Sequence, residues 1–112
     1  MTTELADLAT QRGTELLAAP VVRAAVAVLG EGWQVVHASL MFTARPATMI
    51  DSAAIVAQAA TIAEQLNHHP DIEVGYQWLR ISISTHDSGG ITALDFAFAA
   101  QLQPWRRAGA TA

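Results

Sequence analysis

The chain has 112 residues, 52% apolar and only 14% charged, with mean hydropathy +0.28; this leaves no room for a second domain and excludes disorder, which needs low hydrophobicity and high charge. The net charge is −4 and all six cations are arginines at scattered positions (Arg12, Arg23, Arg45, Arg80, Arg106 and Arg107), so no basic stripe exists to grip a nucleic-acid backbone. Cysteine is absent, which removes disulfides, thiolate nucleophiles and cysteine zinc sites together.

No apolar run approaches the roughly 20 residues of a membrane-spanning helix. Residues 1–20 lack the basic end and apolar core of a signal peptide, so the cytoplasm is the expected compartment. Alanine accounts for 23 residues, and so weakly charged a surface points to partial cover in an oligomer.

In chain order, residues 3–12 read as a short helix ended by Gly13. Pro20 suits the first turn of a second helix that runs through Val21 to Leu29 and stops at Gly30. The run Gly32 to Thr43 is rich in strand formers, with Trp33, Val35, Val36, Leu40, Met41 and Phe42. It carries no Asn-Gly or similar turn, so it reads as one long strand or two short ones. Asp51 or Ser52 would cap a helix reaching Asn67, with Ile55, Ala59, Ile62, Ala63 and Leu66 on one stripe and Pro70 as the stop. From Asp71 to Tyr76, Ile72, Val74 and Tyr76 share a face, and Gly75 allows a bend or a close approach.

Residues 78–86 alternate strictly. Leu79, Ile81 and Ile83 point one way, while Trp78, Arg80, Ser82, Ser84 and His86 point the other, which implies a sheet with one apolar and one polar face. Asp87-Ser88-Gly89-Gly90 is turn chemistry. Thr92 then opens a helix whose Leu94, Phe98 and Leu102 face the sheet and which Pro104 ends. Helix, strands, helix, strands, helix gives an α+β sandwich with the helices on one face of an antiparallel sheet.

Three of the four histidines fall in two short stretches, Asn67-His68-His69-Pro70 and Ser84-Thr85-His86-Asp87. Histidine exchanges protons near pH 7, so the cluster suggests proton chemistry or a metal. Against the metal, adjacent imidazoles diverge and no H-x-x-x-H spacing occurs. His68 and His69 equally suit a helix C-terminus, where imidazoles complement the dipole. Glu64 precedes His68 by four residues and would share its helical face, and Thr92-x-x-Asp95 matches a capping box. Arg80 suits either a ligand or a solvated sheet face. Trp33, Tyr76 and Trp78 suit either stacking on a flat ring or plain packing.

Taken together, Glu64-x-x-x-His68-His69-Pro70, then Tyr76 after five intervening residues, His86 after nine more and Asp95 after eight more resemble the signature of the pterin-4a-carbinolamine dehydratase family. NHHPDIEVGY and ISTHDSGGITALDFAFAA carry the likeness over residues 55–102, and Gly32-Trp33 matches an upstream Gly-Trp pair. The chain departs from the family where an Arg-x-Phe-x-Phe strand is usual; Ser39-Leu40-Met41-Phe42, followed by Arg45-Pro46, stands there. Gln65 replaces a common lysine.

The resemblance implies a two-layer sandwich with a four-stranded antiparallel sheet, order α-ββ-α-ββ-α. This is a single domain over 1–112 with residues 1–30 as an N-terminal helical extension, assembling as a homodimer or homotetramer. The implied reaction is dehydration of 4a-hydroxytetrahydropterin to quinonoid dihydropterin, without metal or other cofactor. His68 and His86 would then be the acid–base pair and His69 would hold the substrate. Asn67, His68, His69, Pro70, Ser84, Thr85, His86 and Asp87 would line the pterin pocket, with Glu64 and Asp95 behind the histidines. The same fold also serves as a dimerisation cofactor for a homeodomain transcription factor and as a Rubisco assembly factor, so a non-enzymatic protein partner is the alternative.

Overall fold

Pro20 lacks an amide proton and has φ preset for a helix, so it sits in the first turn of α2 (Ala19–Leu29), which follows the short α1 (Leu5–Ala9). The computed structural model describes residues 5–9 and 13–105; the rest of the helix expected over 3–12 lies outside them, as do Arg12, Arg106 and Arg107. Leu8, Val22, Ala25 and Leu29 from these two helices are buried in the core.

The strand-rich run after Gly32 is two strands, β1 (Trp33–Val36) and β2 (Ser39–Ala44), paired antiparallel around the turn His37-Ala38. Both turn residues take positive φ, 48° and 62°, the requirement of the tight hairpin turn that matches strand twist. Neither is the glycine or asparagine that normally announces such a turn, which is why the residues alone left the strand count open. Ala38 gains nothing from its side chain in this conformation, which costs an L-residue about 1–2 kcal/mol. Ala38→Gly is therefore expected to stabilise the chain by about 0.5–1 kcal/mol after the extra unfolded-state entropy of glycine, as read by urea denaturation.

Gly32 holds the entry to β1 at φ 90°, and a Cβ there would stand 2.9 Å from the Thr43 carbonyl oxygen and 3.0 Å from the Phe42 ring. Trp33 stacks tilted on Phe42 with centroids 5.1 Å apart and is buried, so its role is packing. Gly32→Ala should cost about 2–3 kcal/mol, through a strained φ and overpacking against backbone. Chemical denaturation of the variant checks this.

Helix α3 (Met49–Leu66) begins earlier than expected. Thr48, not Asp51 or Ser52, is the N-cap, and its Oγ1 accepts the Asp51 amide at 3.1 Å. Ser52 is instead fully buried one turn in. Ile55, Ala59, Ile62 and Ala63 form the buried stripe. β3 (Asp71–Gly75) and β4 (Trp78–Ile83) complete a sheet of order β1-β2-β4-β3, antiparallel throughout. Tyr76, expected on the strand face, lies in the β3–β4 turn and is exposed. The Trp78 indole lies over Gly75, where a Cβ would come within 1.9 Å of it.

Leu40, Phe42, Leu79, Ile81 and Ile83 make the buried sheet face. Across the sheet Glu73 and Arg80 are directly opposite and exposed, with Arg80 Nε donating to Glu73 Oε1 at 2.9 Å. That bond holds the Glu73 carboxyl below the usual carboxylate range and raises Arg80. Its small contribution is present above the unfolded carboxylate range and fades as pH falls through the lowered value.

Helix α4 (Ala93–Leu102) covers the apolar face, with Phe98 and Leu102 of the expected stripe fully buried and a wider buried surface than one stripe. Phe96 and Phe98 are both buried and Leu94 is half-buried, because α1, α2 and α3 pack around α4. The architecture is α+β in the order α-ββ-α-ββ-α from α2 onward, with the helices on one face. Among the described residues no helix is long and apolar enough to cross a membrane.

Candidate active site

The site forms where α3 ends and β4 runs out. Asn67 adopts the left-handed conformation, φ 50° and ψ 48°, and the His68 amide donates back to the Ala63 carbonyl at 3.0 Å, a helix stop that asparagine tolerates well. The turn breaks the helical register on which Glu64 and His68 would have met. Glu64 instead hydrogen-bonds His69 Nε2, and both side chains are exposed. His68 swings inward, its side chain only 12% exposed, and its Nε2 lies 2.6 Å from Asp95 Oδ1.

Asp95 is fully buried at the third position of α4. Its Oδ2 accepts the Thr92 amide at 2.8 Å, completing the capping box, and the Thr85 hydroxyl at 2.9 Å. With its own proton so used, Thr85 accepts from Thr92 Oγ1 at 2.7 Å. Thr85 also anchors the loop carrying His86: its amide donates to Gly90 O at 2.8 Å, and its carbonyl accepts the Ser88 and Gly89 amides. One carboxylate therefore ties together the α3 terminus, the His86 loop and the start of α4. In neutral His68, donation from Nε2 to Asp95 fixes the tautomer and leaves the Nδ1 lone pair for other chemistry.

β4 stops at Ile83, earlier than the alternation suggested, and His86 opens a 3₁₀ turn (His86–Ser88) on which it is exposed. Asn67, His68, His69, Ser84, Thr85, His86 and Asp87 line a cleft of about 260 Å³. Pro70, also expected to bind substrate, follows this cluster but is not part of the lining. A larger cleft of about 730 Å³ sits at the opposite end of β4, against Arg45, Trp78 and Arg80. It contains no histidine, so convergence of proton-exchanging groups, not size, marks the site. Among the described residues no three His, Asp or Glu side chains are grouped to hold a metal ion.

Two features escaped the sequence reading. Thr85 shares the inward parity of Ile83, and a buried hydroxyl demands a partner; that parity was the available signal for its bond to Asp95. His37, from the β1–β2 turn, borders an adjoining cleft.

A model of the pterin 4 alpha carbinolamine dehydratase family matches residues 15–104. The chain belongs to that family. A Chromobacterium violaceum protein named "Putative pterin-4-alpha-carbinolamine dehydratase" is 38% identical over 93 residues, 83% of this chain and 85% of its own. One of the same name from Chloroflexus aurantiacus is 39% identical over 70 residues, 62% of this chain and 75% of its own. The crystal structure of a "transcriptional coactivator/pterin dehydratase" from Brucella melitensis superposes with TM-score 0.74 at 27% identity, covering 80% of this chain and 97% of that one.

Proposed function

We propose that this protein is a hydro-lyase that dehydrates 4a-hydroxytetrahydropterin to quinonoid dihydropterin in tetrahydrobiopterin recycling. The observation that carries the reading is the meeting of His68, His69 and His86 at one cleft, with His68 held by a buried carboxylate. In the reaction the C4a–oxygen bond breaks, the departing hydroxyl takes a proton and leaves as water, and the ring N5–H gives one up. No electrons are exchanged with a cofactor, and no metal ion is required. His68, through Nδ1, and His86 serve as acid and base. His69 holds the ring, its imidazole steadied by Glu64. Asn67, Ser84, Thr85 and Asp87 line the ring's berth.

The protein works in the cytoplasm as a homodimer or homotetramer, which would cover part of its alanine-rich surface; a monomer on size-exclusion chromatography overturns the assembly. The activity is tested by following quinonoid formation from 4a-hydroxytetrahydropterin. A rate above that of buffer is expected, and a rate equal to buffer refutes the assignment.

The words "transcriptional coactivator" in the name of the Brucella melitensis relative favour a second reading, a protein-binding cofactor. A pull-down from source cells that recovers no stable partner counts against it.

A further inference from the structure

The histidine cleft does not end at His86. Ser84 and His86 also line a second cleft of about 280 Å³ whose far wall is His37, Ala38 and Ser39 from the β1–β2 turn. Each cleft alone is smaller than the roughly 300 Å³ at which small-molecule sites begin, and the two are neighbours that share Ser84 and His86 as a common wall. The wall between β1 and β2 is the tight turn itself, with His37 at φ 48° and Ala38 at φ 62°. The imidazole of His37 is exposed and offers both a donor and an acceptor.

From this geometry we propose that His37 is a specificity-determining residue that receives the polar substituent carried by the flat ring. The inference rests on the dehydratase reading for the orientation of the ring. If His68 and His86 act at C4a and N5, the substituent on C6, bonded to N5, lies just past His86 and enters the second cleft. A hydroxyl-bearing side chain there hydrogen-bonds His37, while a ring bearing only a methyl group leaves that cleft empty.

The test compares the 4a-hydroxy forms of tetrahydrobiopterin, with its dihydroxypropyl chain, and of 6-methyltetrahydropterin in the native chain, His37→Gly and His37→Gln. Glycine suits the positive φ, so a melting temperature no lower than native is expected and lost folding is separated from lost contact. In His37→Gly the preference in kcat/KM for the side-chain-bearing substrate should fall about three- to tenfold, the size of one hydrogen bond. The loss should appear in KM, and His37→Gln should recover part of it. A preference within twofold of native in His37→Gly overturns the proposal. If the native chain turns over neither substrate, the dehydratase reading fails separately. Calorimetric binding of 7,8-dihydrobiopterin against 6-methyl-7,8-dihydropterin then decides the role of His37: the same fall in preference supports it, and equal or absent binding overturns it.

Discussion

His68→Ala is expected to lower kcat/KM for 4a-hydroxytetrahydropterin by about 10²–10⁴, the usual worth of one general acid or base. The imidazole sits where it can be both oriented and exposed to a ligand. Nε2 is committed to Asp95 at 2.6 Å, and the ring still borders the cleft with 12% of its side chain accessible. His86→Ala should cause a loss of the same order, although His86 is exposed on its turn and makes no contribution to the buried network. Because both groups are assigned to one proposed dehydration, the double variant should fall far less than the product of the single losses. His68→Ala also deprives buried Asp95 Oδ1 of its partner, at about 1–3 kcal/mol. Rates should therefore be taken where circular dichroism shows the variant folded.

Asp95→Ala is expected to be the most damaging change to stability, costing about 3–5 kcal/mol. It strands three donors at once, the His68 ring, the Thr85 hydroxyl and the Thr92 amide. It also removes the Asp95 half of the capping box of α4, whose Phe96 and Phe98 are central to the core. By the size scaling of small domains that loss lowers the melting temperature by roughly 15 °C or more. Asp95→Asn keeps the volume and one carbonyl acceptor, so it should regain part of the stability. It cannot accept on both sides, so His68 loses its fixed tautomer or Thr85 loses its bond, and kcat falls. Urea unfolding and activity measured on the same samples check both effects. Native activity in folded Asp95→Asn would remove the orienting role assigned to the carboxylate.

Much of the frame was legible because period and punctuation agree. Leu79, Ile81 and Ile83 alternate against polar neighbours and form the buried face of β4. Thr92 and Asp95 read locally as a capping box and are one. What local pattern cannot carry is which long-range partner a side chain chooses. The Glu64–His68 spacing suggested an ion pair on a continuing helix, but a single left-handed residue, Asn67, turned His68 to a carboxylate 27 positions away and left Glu64 to His69. The hairpin at His37-Ala38 was illegible for a related reason: its positive φ angles are imposed by the pairing of β1 with β2, not advertised by glycine or asparagine. The departure from the family's usual Arg-x-Phe-x-Phe strand therefore did not cost the chain its first two strands.

The most direct test of the account is stopped-flow dehydration of 4a-hydroxytetrahydropterin by the native chain and by the His68→Ala, His86→Ala double variant, side by side and both folded. The native chain is expected to outpace the double variant by about 10² or more, with the variant near the spontaneous rate. Equal rates for the two proteins would contradict the acid–base assignment.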